Sequence, residues 1–294
     1  MDQNHLSEEE FLKQYNVGDY ERPSVTVDML FFTIFNKEYE DIRKLPEKEL
    51  QLLLIKRNGH PYKDSWALPG GFVNIDESID DAVYRELKEE TNVEDVYFEQ
   101  LYTFGDVDRD PRTRVISSSY LALTNRENIN AKAGDDASDV AWFTIKKTDI
   151  EMNEEDHKKT YYFNIYSQEK GIDIIYKIIE KTTYDQYVPN KQYEFIPVSE
   201  EKIAFDHIKI INYGLDRLKN KIEYTPIAFN FLPEYFTLTE LQKVYELILG
   251  KELLKANFRR KIKQVVVKTE ETTHEVGHRP SSLYTFNKNY QTLF

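Results

Sequence analysis

The sequence predicts an α+β protein, a sheet-rich sandwich with a helical module at its C-terminal end. Three observations predict it. Between residues 23 and 146, segments rich in β-branched and aromatic residues outnumber helical ones, and one long amphipathic helix sits among them. From Ser199 onward the apolar spacing changes to three and four residues, the period of a helix. The charge changes at the same place. Residues 201–294 hold 15 Lys and Arg against 11 Asp and Glu, a net of +4, and the remainder carries −17 of the chain's −13. A basic C-terminal part on an acidic N-terminal part indicates modules with different partners, although a solvated face arising by chance gives the same count.

Residues 1–22 read as an N-terminal arm ending at Arg22-Pro23. Ser24 to Phe35 and Leu52 to Ile55 read as strands, with Asn58-Gly59 and His60-Pro61 as turn signals behind the second. Trp66 to Val73 leads into the amphipathic helix, from about Ser78 to Thr91, in which Ile79, Val83 and Leu87 form an apolar stripe. Tyr97 to Phe104 and Val115 to Leu123 are strands on either side of a charged turn, and Ala141 to Ile145 closes the region 23–146. Residues 147–199 form a β-rich insertion or linker with strands at Tyr161–Tyr166, Ile172–Ile179 and Gln192–Val198. They make a small meander or an extension of the first sheet, and serve pairing, a lid or simple connection.

Residues 200–294 are the helical module. Ile203, His207, Ile210, Ile211 and Leu215 mark its first helix, and Thr237-Leu-Thr-Glu240 is a capping box opening a second that stops near Gly250. Leu254, Phe258 and Ile262 give a third, followed by strands at Val265–Lys268 and Leu283–Phe286. Helix, helix, helix, hairpin is the order of a winged helix-turn-helix domain. Lys255, Arg259 and Lys263 lie four apart beside the apolar stripe, with Arg260 nearby and Arg279 in the hairpin loop. A basic face beside a core face suits a helix that enters the major groove of duplex DNA, and solubility also places Lys and Arg on helix surfaces. His207, on an otherwise apolar face, is expected to be a packed hydrogen-bonding residue.

The chain contains no cysteine, which removes disulfides, thiolate nucleophiles and cysteine-ligated zinc. Met1 to Glu10 lacks the basic and apolar regions of a signal peptide, and runs such as Met29 to Phe32 are too short to span a membrane. A cytoplasmic protein with no membrane partner is the expectation.

The chemistry concentrates between Gly71 and Val93, GFVNIDESIDDAVYRELKEETNV. Glu86, Glu89 and Glu90 stand at i, i+3 and i+4, so their side chains fall within about 100° of one helix face. Converging carboxylates are costly unless cations neutralise them, and hard oxygen ligands suit Mg²⁺, with Mn²⁺ as the alternative. Such an ion polarises a diphosphate and lowers the pKa of an attacking water. Arg85 stands four before Glu89 and can pair with it, and Glu77 can reach Arg85 through the loop. The bland reading is a solvated helix with a row of acids.

The spacing of Gly71, Glu77, Arg85, Glu86, Leu87, Glu89, Glu90 and Val93 resembles the Nudix box, as does the preceding Trp66-Ala-Leu-Pro-Gly-Gly71. The family glycine after the helix is Asn92 here, the next most tolerant residue for a left-handed helix end. The resemblance implies a Nudix α/β/α sandwich in which Glu86, Glu89 and Glu90 bind metal, Arg85 orients, and Glu86 or Glu89 is the leading candidate for catalytic base. The base differs among Nudix enzymes and can lie outside the box, and some Nudix domains bind nucleotides without cleaving them.

The turn Asp106 to Val115 and the strand after it look like the matching stretch of ADP-ribose pyrophosphatases. Gly71, Arg112 and Arg109 are the expected substrate contacts, with Arg114 also within the turn. The alternative is arginines paired with neighbouring aspartates. The last third resembles the winged helix of Nudix-related transcriptional regulators of NAD metabolism and their sugar-pathway relatives. The phrases are Ala204-Phe-Asp-His207, Tyr224 to Ala228, Phe236 to Gln242, Asn257-Phe-Arg-Arg-Lys261 and Arg279-Pro280. Two functions follow from these resemblances. The first is a hydrolase cleaving the pyrophosphate bond of a nucleoside diphosphate derivative, ADP-ribose favoured. The second is an ADP-ribose-responsive regulator binding operator DNA. A homodimer is implied by the resemblance alone.

Overall fold

The computed structural model describes residues 6–37, 47–91, 96–125, 137–153, 156–273 and 280–290, with residues 90 and 91 described by backbone alone. Helix α1 (Glu8–Gln14) starts the arm, capped by a reciprocal Ser7–Glu10 box. The strands are β1 (Ser24–Lys37), β2 (Glu47–Arg57), β3 (Trp66–Ala67) and β4 (Gly70–Phe72), followed by helix α2 (Ile79–Thr91). Then come β5 (Tyr97–Phe104), β6 (Val115–Leu123), β7 (Ala137–Asn153), β8 (Lys158–Ser167), β9 (Ile172–Asp185) and β10 (Val188–Pro197). One sheet holds them all, in the order β10-β9-β8-β7-β2-β1-β6-β5, with β3 on β2 and β4 on β1. Among the described strands, β1 and β6 pair parallel and the other pairs are antiparallel.

Strand β1 reads VTVDMLFFTIF without clean alternation because both faces of the sheet are covered. On one face Val27, Met29 and Phe31 meet Ala82, Val83 and Leu87 of α2. Ile79, expected in that stripe, is 39% exposed, and Ala82 takes its place in the core. The opposite face carries Leu30 and Phe32, and helix α3 (His207–Lys221) lies across it through Ile210 and Ile211. A Cβ on Gly214 would stand 2.8 Å from Leu30 Cδ2, so glycine lets α3 approach β1 closely.

This placement differs from the sequence reading, which made α3 the first helix of the C-terminal module. The apolar stripe of α3 faces the sheet, so α3 forms the third layer of an α/β/α sandwich, and it also touches α4. Strands β8 to β10 extend the same sheet, and β7 runs unbroken from Ala137 to Asn153. Their hydroxyls hold α3: Tyr161 donates to Asn212 at 3.1 Å and Tyr193 to Asp216 at 2.8 Å.

Beyond α3, a 3-10 segment (Pro226–Phe231) packs near helix α4 (Leu238–Leu249). Thr237 and Glu240 close the expected capping box, and Gly250 ends α4 in the left-handed region at φ 67°. Helix α5 (Lys255–Ile262) and the hairpin β11 (Val266–Thr272) and β12 (Ser282–Phe286) complete the module. Phe236 and Tyr284 exchange backbone hydrogen bonds, which adds a third extended segment to the hairpin. Phe258 and Ile262 are buried as expected. Leu254 is the N-cap of α5 and is 74% exposed, because the stripe runs past its partner there. Among the described residues no helix is long and apolar enough to cross a membrane.

Candidate functional site

Strand β4 sets the site by pairing Gly70 to Asp28 and Gly71 to Val27 of β1. Gly70 has φ 149°, and a Cβ there would stand 2.1 Å from Val27 O. At Gly71 the obstacle is functional. A Cβ would lie 2.0 Å from Glu86 Oε1, so the absence of a side chain leaves room for the Glu86 carboxylate. Helix α2 presents that carboxylate, its start fixed by Ser78, whose Oγ accepts from Asp81 N at 3.1 Å.

Arg85 ties the loop to the helix. Its Nε donates to Glu77 Oε2 at 3.1 Å and its Nη2 to Glu77 Oε1 at 2.8 Å, a forked pair. Nη2 also reaches Phe72 O at 3.1 Å, and Nη1 reaches Glu86 Oε1 at 2.7 Å and Glu89 Oε2 at 3.5 Å. Glu77 in turn accepts from Asn74 N at 2.8 Å. The Arg85 hydrogen bonds, and then that of Asn74, hold the Glu77 carboxyl down at about 2. Glu86 goes the other way: burial raises its pKa, and the Arg85 hydrogen bond only partly offsets this.

One guanidinium nitrogen thus touches both Glu86 and Glu89, so a single cation can reach both carboxylates. Two hard oxygen donors that close, one desolvated, fit a divalent ion such as Mg²⁺. The Glu90 side chain lies outside the described residues. Among the described residues no group of three or more potential metal ligands forms; of the three carboxylates expected from the spacing, Glu86 and Glu89 are the ones whose side chains are described.

The turn between β5 and β6 departs from expectation. Arg109 does not face outward towards a phosphate. It is buried, with Nε and Nη2 on Asp206 at 3.2 and 2.8 Å and Nη2 on Asp28 at 3.3 Å. Long-range carboxylates outcompete solvent for it, and its fork is spent. Arg112 binds Asp110 through Nε at 3.0 Å and Nη2 at 2.7 Å, and its side chain remains half-exposed. Arg114 Nη1 donates to Asp106 O at 2.9 Å. His207 is packed and hydrogen-bonded as expected: Nδ1 accepts from Leu68 N at 2.9 Å, and burial pushes its pKa down.

Sequence reasoning missed an aromatic group beside the box. Tyr62 and Phe205 meet at 4.7 Å between ring centroids. The Arg57 guanidinium lies 4.9 Å over the Phe205 ring, and Arg112 stands 5.3 Å over Phe72 and 5.9 Å over Phe205. No period or motif joins positions so far apart in the chain.

On α5, Lys255, Arg259 and Arg260 are exposed, as is Lys263 at its C-terminal cap. Among the described residues no carboxylate lies within salt-bridge distance of these four, and Arg260 Nη2 donates to Asn257 Oδ1 at 3.2 Å. Arg279 lies outside the described residues.

A Nudix α/β/α sandwich joined to a winged helix, with a basic helix on the latter, defines a Nudix-related DNA-binding architecture. The NUDIX domain family matches residues 42–163 and the NrtR DNA-binding winged helix domain matches residues 228–286. The chain is 32% identical over 286 residues to the ADPR responsive transcriptional repressor NtrR of Acinetobacter baylyi, covering 96% of this chain and 90% of the relative. It belongs to this family of Nudix-related transcriptional regulators. It is also 37% identical over 134 residues to the ADP-ribose pyrophosphatase of Methanocaldococcus jannaschii, covering 46% of this chain and 68% of that protein. Among solved structures, NrtR of Shewanella oneidensis complexed with a 27mer DNA matches with TM-score 0.58 and 29% identity, covering 90% of this chain and 93% of that one. The winged-helix match begins at residue 228, after α3, which agrees with α3 packing in the sandwich.

Proposed function

We propose that this protein is an ADP-ribose-responsive DNA-binding repressor, with the Nudix domain as sensor and the winged helix as reader of an operator. The end-to-end similarity to an ADPR-responsive repressor carries this reading, and it reverses the order of the two functions drawn from the sequence. In this reading Lys255, Arg259, Arg260, Lys263 and Arg279 meet DNA, and the protein acts as a homodimer in the cytoplasm. Gly71 and Arg112 meet the ligand, and Arg109 serves as an internal brace. The test is fluorescence anisotropy of labelled DNA from upstream of the protein's own operon, with and without ADP-ribose. Sequence-selective binding that ADP-ribose changes supports the reading, and binding no tighter than to random DNA overturns it.

A second activity, hydrolysis of ADP-ribose, is supported by one observation: Arg85 contacts Glu77, Glu86 and Glu89 together. Glu86, Glu89 and Glu90 would hold Mg²⁺ or Mn²⁺, which when bound neutralises the diphosphate and activates water. Arg85 fixes Glu86 and Glu89 by direct hydrogen bond and ion pair, and Glu86 or Glu89 takes the proton of the attacking water. Mg²⁺-dependent release of AMP and ribose 5-phosphate, followed by chromatography, tests it. Absence of both products would leave the box as a binding site alone.

A further inference from the structure

We propose that Leu254 reads sequence for this protein, by packing its side chain against the C5 methyl of a thymine in the major groove of duplex DNA. The inference rests on the DNA-binding reading of the winged helix. It names a residue that discriminates among base pairs, a task to which the cations of α5 are poorly suited.

The start of α5 breaks a local rule. Helices α1 and α4 open at Ser7 and Thr237 with reciprocal capping boxes, and Ser78 caps α2. Helix α5 opens at Leu254, whose side chain makes no cap hydrogen bond. Leucine is among the poorest N-cap residues, so the sequence forgoes stability here. Departures of this kind from local preference concentrate at functional positions.

Packing does not account for the leucine. Leu254 is 74% exposed, whereas its neighbour Leu253 packs against the core. Phe258 and Ile262 anchor α5, the Phe258 ring lying 5.3 Å from that of Tyr245 on α4. The other six of the eight residues of α5 are exposed.

The exposed leucine nevertheless stands on a fixed backbone. Gln242 Nε2 donates to Leu253 O at 2.8 Å, and Leu253 N donates to Glu246 Oε1 at 3.0 Å. Two side chains of α4 thus grip both backbone groups of the residue before Leu254. An apolar group presented in this way loses little freedom on binding.

Charge decides what covers it. Lys255, Arg259, Arg260 and Lys263 follow Leu254, with no carboxylate at salt-bridge distance among the described residues. A surface of this kind draws a polyanion. On duplex DNA, phosphate contacts fix position and register but carry no sequence information directly. The N-terminal residues of a recognition helix are the ones that reach base edges. The thymine methyl is the apolar group displayed there, and leucine, with no side-chain donor or acceptor, matches it and none of the polar edges.

The experiment is fluorescence anisotropy with the full chain, wild type and Leu254→Ser, on three labelled duplexes. These are the upstream fragment, the same fragment with every thymine replaced by uracil, and a random sequence. Uracil keeps the base pairing and lacks the C5 methyl. The wild type is expected to bind the uracil fragment about fourfold or more weakly, the effect of withdrawing one buried methyl. Leu254→Ser is expected to bind both fragments alike, with its affinity for random DNA and its salt dependence unchanged. Any effect of uracil on duplex shape would act on both proteins equally. Serine is a favoured N-cap, so the melting temperature of the variant is expected to match or exceed that of the wild type. A lower melting temperature would assign Leu254 to packing and overturn the proposal. So would a folded variant that keeps the wild-type preference for thymine, or a wild type indifferent to the methyls, and either would leave the repressor reading standing. A wild type that binds the upstream fragment no better than random DNA would overturn both.

Discussion

Arg109 and Asp206 form a buried forked pair, with Nε and Nη2 of the arginine at 3.2 and 2.8 Å from the two carboxylate oxygens. The pair joins the β5–β6 turn to the N-terminal end of α3, and Lys209 adds a second tie to Asp106 at 2.8 Å. Asp28 of β1 shares the arginine and also accepts from the Ser117 hydroxyl. One guanidinium thus pairs with two carboxylates between the sheet and α3. Breaking a buried pair by removing one partner leaves an uncompensated charge. Arg109→Ala is expected to cost about 3–5 kcal/mol in urea unfolding, and Asp206→Asn less, because its amide oxygen still accepts. A loss below about 1 kcal/mol for Arg109→Ala, the scale of an exposed pair, would show that the cluster is solvated.

His207 lies in the same cluster and gives stability a pH dependence. Nδ1 accepts from Leu68 N, so the proton of the neutral ring sits on Nε2, 3.5 Å from Asp28 Oδ1. Burial is the largest influence and holds the folded-state pKa below the ordinary histidine value of 6.5, against the pull of Asp28 and Asp206 and with Arg109 and Arg57 helping to lower it. The unfolded chain therefore takes up this proton first as pH falls. The contribution of His207 is complete above 6.5 and declines below it, towards the folded pKa. His207→Asn keeps an acceptor near Nδ1 and does not titrate. Melting temperature is expected to fall less in the variant than in the wild type between pH 7.5 and 5.5. Parallel curves would mean that the histidine charges equally in both states.

Gly71→Ala tests the Glu86 carboxylate without touching an acid. The backbone at Gly71 is not left-handed, so alanine costs little locally, and the cost comes from the 2.0 Å approach to Glu86 Oε1. Glu86 must turn away, which shifts a proposed metal ligand. Mg²⁺-dependent ADP-ribose hydrolysis, or Mg²⁺ affinity followed calorimetrically, is expected to fall about ten- to hundredfold, as when a residue supporting a metal ligand is lost. Unchanged Mg²⁺ dependence in a folded variant would remove Glu86 from the metal site.

The parts of this molecule that were legible in the sequence are those whose partners lie a few residues apart. Thr237 and Glu240 are three apart, and Arg85 and Glu77 eight, so spacing alone places each pair in reach. Arg109 meets Asp28 and Asp206 across 81 and 97 residues, and nothing local distinguishes it from Arg112, which binds its near neighbour Asp110. For α3 the helical period identified the buried stripe, but a stripe does not state what covers it. Ile79 and Leu254 show a related limit. Each sits at the very start of its helix, where the periodic face extends beyond the element it packs against. The left-handed backbone of Tyr62 and Phe205 has no glycine or asparagine to announce it.

The basic face of α5 carries the last prediction. The protein as a whole is acidic at −13, so phosphate repels it at long range, and DNA binding must come from a local patch. Lys255, Arg259, Arg260 and Lys263 supply one, exposed and with no carboxylate at salt-bridge distance among the described residues. Each phosphate contact releases condensed counterions, so affinity should fall steeply with salt. Replacing Arg259 and Lys263 with alanine is expected to weaken operator binding and to lower the slope of log affinity against log salt by about two. Hydrolysis should be untouched, because the Nudix box lies on another layer of the molecule. If ADP-ribose is the effector, it changes DNA affinity by the same factor by which DNA changes ADP-ribose affinity. Arg109→Lys, which keeps the charge and loses the fork on Asp206, is expected to reduce that factor while both ligands still bind. Anisotropy at several salt concentrations, with and without ADP-ribose, reads all of these quantities. A double variant with wild-type salt dependence would move the DNA interface off α5. An Arg109→Lys protein with undiminished coupling would show that the brace between the turn and α3 does not transmit the ligand's presence.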